Sequence, residues 1–335
     1  MAAQAIGDLA QGFLLRRQTA EAKRALEDHA RALTTGRVSD PGTRLEGDFS
    51  ALAAIEHRLA TAAGDRRAAA EAATLARAQQ AALATVAGAA GDLAVGFLDQ
   101  ADAAGAGNAL RGAEAEAAFA SVVASLNTSA AGRSLFAGAA SDGPALAPAE
   151  TMLADIRAAV AGLDDPADVT AAVEAWFADP GGGFATTGYL GSDAPMSPVP
   201  LGGSDAARLE ARASDPALRD VLSALALGAI AGDPGSDLSG AARAELFRAA
   251  GDRLLAAQDG VTELRATIGQ AEAQIEAAEA RLAAERTAAE LARSELVGAD
   301  RYEAATRLKD AERQLELVYE VTARLSRLSL LDRLA

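Results

Sequence analysis

Residues 261–282 read VTELRATIGQAEAQIEAAEARL, a helix-forming stretch whose apolar residues return every seven positions. A strict seven-residue repeat predicts a left-handed supercoil, in which the apolar stripe packs against a partner helix. The repeat therefore predicts one long helix from Ser239 to about Gly298. The helix has two apolar stripes, and the second stripe contains one charged residue, Glu285. The two stripes are Val261, Ile268, Ile275, Leu282, Ala289 and Leu296, and, three positions behind, Leu264, Ala271, Ala278, Glu285 and Ala292.

The same seven-residue spacing continues in a last helix after Gly298-Ala299-Asp300, at Leu308, Ala311, Leu315, Val318, Thr322 and Leu325. Near the other end, apolar residues mixed with alanine and long polar side chains predict an amphipathic helix. Gly36 ends it as a left-handed cap, and Pro41 cannot extend it. The helices predicted in the first half run from Gln4 to Leu33, from about Arg44 to Gln100, and from Asn108 to Ser129.

The middle of the chain has a different character. A Gly/Ser/Pro-rich loop from Ala131 to Pro148 has Leu135-Phe136 as its apolar anchor, and two short helices follow. The prolines and glycines between Gly191 and Asp205 mark the only place where the sequence predicts a small β element, a hairpin. This middle region reads as a domain inserted between two helical arms.

These patterns predict a mainly α fold. We expect an elongated helical bundle or coiled coil built from both chain ends, with a small mixed α/β central insertion. The predicted segments are 1–40, an N-terminal assembly helix; 41–148, a helical arm; 149–238, the central inserted domain; 239–298, a heptad helical arm; and 299–335, a C-terminal assembly helix.

Composition limits the possible partners. The chain has 335 residues and a net charge of −16, from 47 acidic and 31 basic residues. Such a surface repels phosphate backbones, so nucleic acid and anionic membranes are disfavoured as partners. The absence of cysteine excludes disulfides, thiolate catalysis and cysteine-based zinc sites. No signal peptide or spanning segment is expected, since the longest apolar run, 221–232, is too short.

The residue patterns predict no catalytic, metal or cofactor site, and hence no enzyme. His29 and His57 lack a second histidine at helical spacing. Asp164-Asp165 before Pro166 is typical of a helix start. The glycines of 181–183 are not followed by the Lys-Ser/Thr of a phosphate loop, so we interpret them as a turn. Trp176-Phe177 is interpreted as the aromatic anchor of the inserted domain.

The apolar stripes at the two chain ends have two interpretations at this point. They are either an intramolecular core or a surface for pairing between subunits. The residues predicted for an assembly interface are Phe13, Leu14, Leu26, Leu33, Leu308, Leu315, Val318, Leu325 and Leu328.

Three stretches resemble the flagellin superfamily, and within it the hook-associated protein 3 type, which joins the flagellar hook to the filament. Residues 33–37, LTTGR, resemble the motif that ends the first helix of these proteins. Residues 132–138, GRSLFAG, resemble a segment of the junction proteins that filament flagellins usually lack. Residues 300–308 and 325–331 are similar to the C-terminal helix of the family. The motif residues are Gly36, Arg37, Gly132, Arg133, Phe136 and Gly138.

The resemblance implies a structural subunit at the hook–filament junction. Family members are exported unfolded through the flagellar type III channel without a cleaved signal, and their terminal segments become ordered on assembly. The implied partners are hook-associated protein 1, flagellin, further copies of the chain in a ring, and an export chaperone. The alternatives are a filament flagellin and a soluble cytoplasmic coiled-coil adaptor.

Overall fold

The computed structural model describes residues 2–102 and 107–332, with side chains described for residue 10 and for 12–324 apart from 103–106. The described chain is mainly α-helical, which confirms the predicted fold class. Its helices are α1 (Ala2–Thr35), α2 (Pro41–Arg44), α3 (Ser50–Asp102), α4 (Asn108–Leu126), α5 (Ala149–Ala159), α6 (Pro166–Ala178), α7 (Pro216–Gly232), α8 (Gly240–Val297) and α9 (Arg301–Asp332).

The described residues contain two short antiparallel hairpins. Strand β3 (Val199–Pro200) pairs with β4 (Ala206–Ala207) at the end of the stretch where a hairpin is predicted. The prediction that no other β element exists is wrong, because β1 (Ser129–Ala130) pairs with β2 (Arg133–Ser134). The two residues between these strands both have positive φ, 51° at Ala131 and 75° at Gly132, as in a type I′ turn.

The chain divides into two compact units. Unit 1 comprises residues 1–63 and 283–335, and unit 2 comprises residues 64–282. Helices α3 and α8 each have residues in both units. The five-segment division made from the sequence assigns segments by their role in assembly, and it stays a prediction.

Unit 2 contains a large apolar core, and the part of the heptad stripe that lies in this unit is buried in it. Val261, Ile268, Ile275 and Leu282 on α8 are all buried. Helix α8 lies against α3, where the Gln80 side-chain amide donates to the backbone carbonyl of Arg265 at 2.6 Å. In unit 2 the stripe is therefore intramolecular core.

Helix α7 is the most completely buried element of unit 2. Its apolar run 221–232 is buried on all sides, as expected for a helix inside a core. It packs against α4 so closely that a Cβ on Gly232 would lie 2.2 Å from the Cα of Gly112. At its end, Arg243 donates hydrogen bonds to the carbonyls of Ala231, Asp233 and Ser236, at 2.7–3.0 Å.

Helix α3 is long and apolar enough to cross a membrane by length and composition alone. The helix itself was predicted, but the expectation of no spanning segment rested on the run 221–232 alone. Its residues Leu83, Val86 and Phe97 are fully buried in the core, whereas Val95 is 59% exposed. The ring of Phe97 lies 5.6 Å from that of Phe247 on α8. These contacts are those of a core helix.

Candidate assembly surface

Unit 1 is organised around the pair formed by α1 and α9, which pack together. Gly36, with φ +68°, ends α1 and donates its N–H to the carbonyl of Ala32 at 2.9 Å. Asp300 begins α9, because its carboxylate accepts from the backbone N–H of Tyr302 at 2.8 Å. The Ala299 N–H donates to the carbonyl of Gly36 at 2.9 Å, so the end of α1 lies beside the start of α9 and the two helices run antiparallel.

The buried core of unit 1 is small. Among its described side chains, only one buried residue is larger than alanine. Alanine methyl groups bury little apolar area, so this unit gains little free energy of folding from packing. The buried residues are Ala22, Ala32, Ala62, Val297, Ala304 and Ala311.

The predicted interface residues fall into two groups. Leu26 and Leu33 on α1 and Leu308, Leu315 and Val318 on α9 are half-buried. On α9 they follow the three- and four-residue spacing of the buried Ala304 and Ala311, so they belong to the stripe that faces α1.

The second group is exposed. Phe13 and Leu14 on α1 expose 63% and 56% of their surface. The backbone of Leu325 and Leu328 belongs to α9, but their side chains lie outside the described residues. The structure therefore brings five of the nine predicted residues to the α1–α9 contact and leaves two in solvent.

Several exposed apolar residues were missed by the sequence argument. Tyr302 is 84% exposed and Leu317 is 61% exposed, and both lie off the heptad stripe of α9. Leu317 and Val321 are four residues apart and therefore share one helix face, and this spacing could have identified them in the sequence. The exposed large apolar residues of unit 1 are Phe13, Leu14, Phe49, Leu291, Tyr302, Leu317, Tyr319 and Val321.

The motif residues lie in both units. Gly36 and Arg37 are in unit 1, where the Arg37 guanidinium donates to the Glu56 carboxylate at 3.2 Å. Gly132, Arg133, Phe136 and Gly138 are in unit 2.

The 132–138 segment is part of the unit 2 core, whereas the sequence suggested a loop with a single apolar anchor. Phe136 is fully buried, and the Gln79 amide donates to the Leu135 carbonyl at 2.7 Å. Arg133 lies 3.8 Å from the Glu71 carboxylate. Gly138 has φ +59°, and a Cβ there would lie 2.4 Å from two backbone carbonyl oxygens. This segment thus ties the β1–β2 hairpin to α3.

The other residues considered as candidate sites have structural roles in unit 2. Asp165 caps α6, accepting from the backbone N–H of Ala167 at 2.8 Å, as expected for a helix start. Trp176 is buried against the rings of Phe177 and Phe184, at 4.7 and 6.3 Å. A Cβ on Gly183 would collide with the Trp176 indole, so this glycine allows a close turn.

Titratable groups do not form a site in the part of the chain that the structure describes. No group of three or more His, Cys, Asp or Glu side chains is placed there to hold a metal ion. Burial raises the pKa of the Asp215 carboxyl above its ordinary value, against the opposing effects of the Arg212 backbone N–H and guanidinium. This carboxylate accepts from the Arg212 N–H at 2.8 Å, a local turn contact at the start of α7.

Residues 254–334 match the family model described as the bacterial flagellin C-terminal helical region. The match covers about a quarter of the chain, at its C-terminal end, and supports a relationship to the flagellin superfamily. No curated protein matches the chain.

Proposed function

We propose that the chain is a structural subunit of the hook–filament junction that assembles through unit 1. Its neighbours would be hook-associated protein 1, flagellin and further copies of itself in a ring, after export by the type III route with a chaperone and without a cleaved signal. The resemblance of residues 132–138 to the junction proteins favours this position. Filament flagellin is the second candidate, because the matching family model describes a flagellin region.

The distribution of exposed aromatic residues supports unit 1 as the assembly surface. All four aromatic residues of unit 1, Phe13, Phe49, Tyr302 and Tyr319, are exposed. The aromatic residues of unit 2 are buried or half-buried, and they are Phe97, Phe119, Phe136, Trp176, Phe177, Phe184, Tyr189 and Phe247.

Exposed apolar patches usually mark interaction sites, and aromatic residues are enriched at the centres of protein interfaces. Among the described side chains, unit 1 exposes eight large apolar residues and unit 2 exposes four, although unit 2 is the longer. Burying the unit 1 residues between copies contributes about 25 cal/mol per Å² of apolar area. Assembly would therefore stabilise unit 1 by burying its exposed apolar residues, which its own small core does not do.

The two classes of residue on α9 have different proposed roles. The half-buried Leu308, Leu315 and Val318 hold α9 against α1 within one chain. The exposed Leu317 and Val321 lie on a different face and are available to a neighbouring subunit.

Replacing Leu317 and Leu315 separately by aspartate tests this assignment. Leu317→Asp places a carboxylate in solvent, so the melting of the purified chain should not change, whereas incorporation into the flagellum and motility should be lost. Leu315→Asp puts a carboxylate into the α1–α9 contact and should loosen the helix pair in the free chain. Ala323→Asp, at an exposed position on a different face of α9, is the control for the added charge.

Normal incorporation of Leu317→Asp would show that this face is not an assembly surface.

Deleting the gene tests the position in the flagellum. Loss of a junction protein should leave hooks without filaments and release flagellin into the medium. A cell that still builds filaments after the deletion would exclude the junction role, and a missing filament without released flagellin would indicate the filament subunit itself.

A further inference from the structure

A recess in unit 1 beside Gly36 has three arginines among the residues that line it. It lies between the end of α1, the last turns of α8 and the start of α9, and it has a volume of about 370 Å³. Arg37, Arg293 and Arg301 all contribute to its wall. The Arg301 guanidinium approaches the Gly36 backbone, since a Cβ on that glycine would lie 4.0 Å from Nη2. We name this feature the basic recess.

The carboxylates near the basic recess do not balance its positive charge. Glu56 serves two arginines, because its carboxylate lies 3.2 Å from Arg37 Nη2 and 3.6 Å from Arg293 Nη1. Glu290, which also lines the recess, is paired with Arg286 at 2.8 Å.

Arg301 forms no ion pair within 4.0 Å among the described residues. Arg37, Arg293 and Arg301 thus share the wall with a single glutamate, Glu290, which leaves the wall an excess of two positive charges. This local excess lies on a chain whose net charge is −16.

We propose that the basic recess receives an acidic side chain from a second copy of this chain. The inference rests on the proposed assembly function and adds the chemistry of one contact. Identical acidic molecules repel one another, and a positive recess on each copy gives an acidic side chain of the next copy one favourable place to bind. A nucleic acid or another polyanion is a poorer occupant, because the rest of the chain repels it.

Arg301 is the residue to change, because its charge is not neutralised within the chain. Arg301→Glu reverses the charge, and Arg301→Lys keeps it on a side chain that forms no bidentate pair. Arg248→Glu is the control for the charge reversal, because Arg248 is also exposed but lies in unit 2, where its guanidinium is 2.8 Å from the Asp102 carboxylate. Self-association of the full chain is measured by sedimentation at about 50 mM and about 300 mM NaCl, where the screening length differs more than twofold.

Arg301→Glu should weaken self-association about tenfold at the lower salt concentration and much less at the higher one, as for a screened charge contact. Arg301→Lys and Arg248→Glu should remain close to the unmodified chain. The proposal is wrong if Arg301→Glu associates normally, if Arg301→Lys is as weak as Arg301→Glu, or if the loss coincides with lower thermal stability. If the unmodified chain and Leu317→Asp are equally monomeric, the proposed assembly through unit 1 is wrong as well. If the unmodified chain associates and Arg301→Glu associates equally well, only the proposal for the basic recess is wrong.

Discussion

Replacing Gly232 by alanine should destabilise unit 2 through the contact between α4 and α7. The new Cβ would lie 2.2 Å from the Gly112 Cα and 2.6 Å from the Asn108 carbonyl oxygen. Ordinary contacts of a Cβ begin near 3.4 Å, so the two helices must move apart by about 1 Å. Neither obstacle is a flexible side chain that can move away.

Overpacking of this kind costs about 1–3 kcal/mol, and the higher helix propensity of alanine returns up to about 1 kcal/mol. The net loss of about 1–2 kcal/mol corresponds to a melting temperature lower by about 2–8 °C for a unit of this length. The measurement is thermal unfolding followed by far-ultraviolet circular dichroism.

Gly88→Ala is the matched control, with the opposite sign. Gly88 lies inside α3 and is exposed, and a Cβ there meets nothing within 4 Å. Helix propensity alone then raises the unfolding free energy by about 1 kcal/mol. If Gly232→Ala melts at or above the temperature of the unmodified chain, the α4–α7 contact is not as close as described and the argument fails.

Three further predictions concern other parts of the chain. Arg243→Ala should lower the unfolding free energy by about 3 kcal/mol in a denaturant titration, because it leaves carbonyls at the end of α7 without a donor, whereas Arg313→Ala should change it little. Burial raises the folded-state pKa of Asp215, so its protonated form favours folding; between about pH 4 and pH 7 the unmodified chain should lose unfolding free energy relative to Asp215→Asn, and a constant difference would contradict this. Amide hydrogens of α1 and α9 should exchange faster than those of α7, because unit 1 buries mostly alanine; equal protection of the three helices in a verified monomer would disagree.

The helices were the part of the fold that the sequence predicted best. The heptad stripes place both ends of α8 within one residue of their observed positions, and the break at Gly298-Ala299-Asp300 places the start of α9, because these are local signals. The β1–β2 hairpin was missed, because Ala131 adopts a positive φ that is normally left to Gly, Asn or Asp. The pairing of Ser129 and Ala130 with Arg133 and Ser134 holds Ala131 in this conformation against its own preference.

The candidate surface was only partly predictable. A periodic stripe shows that a helix face needs burial, but it does not show whether the partner belongs to the same chain. In α8 the stripe residues Val261 and Ile268 are buried inside unit 2, so this part of the stripe is not available to another subunit. The exposed Leu317 and Tyr302 do not follow the repeat, and only the packing of α9 against α1 shows that they are left in solvent.

The uneven placement of aromatic residues also divides the spectroscopy of the molecule. The single tryptophan, Trp176, is buried in unit 2, so its emission reports on the integrity of that unit alone. Two of the three tyrosines, Tyr302 and Tyr319, lie exposed in unit 1. Polymerisation that buries them should alter tyrosine absorbance while leaving tryptophan fluorescence unchanged, so one unlabelled sample can separate docking of subunits from unfolding of the core.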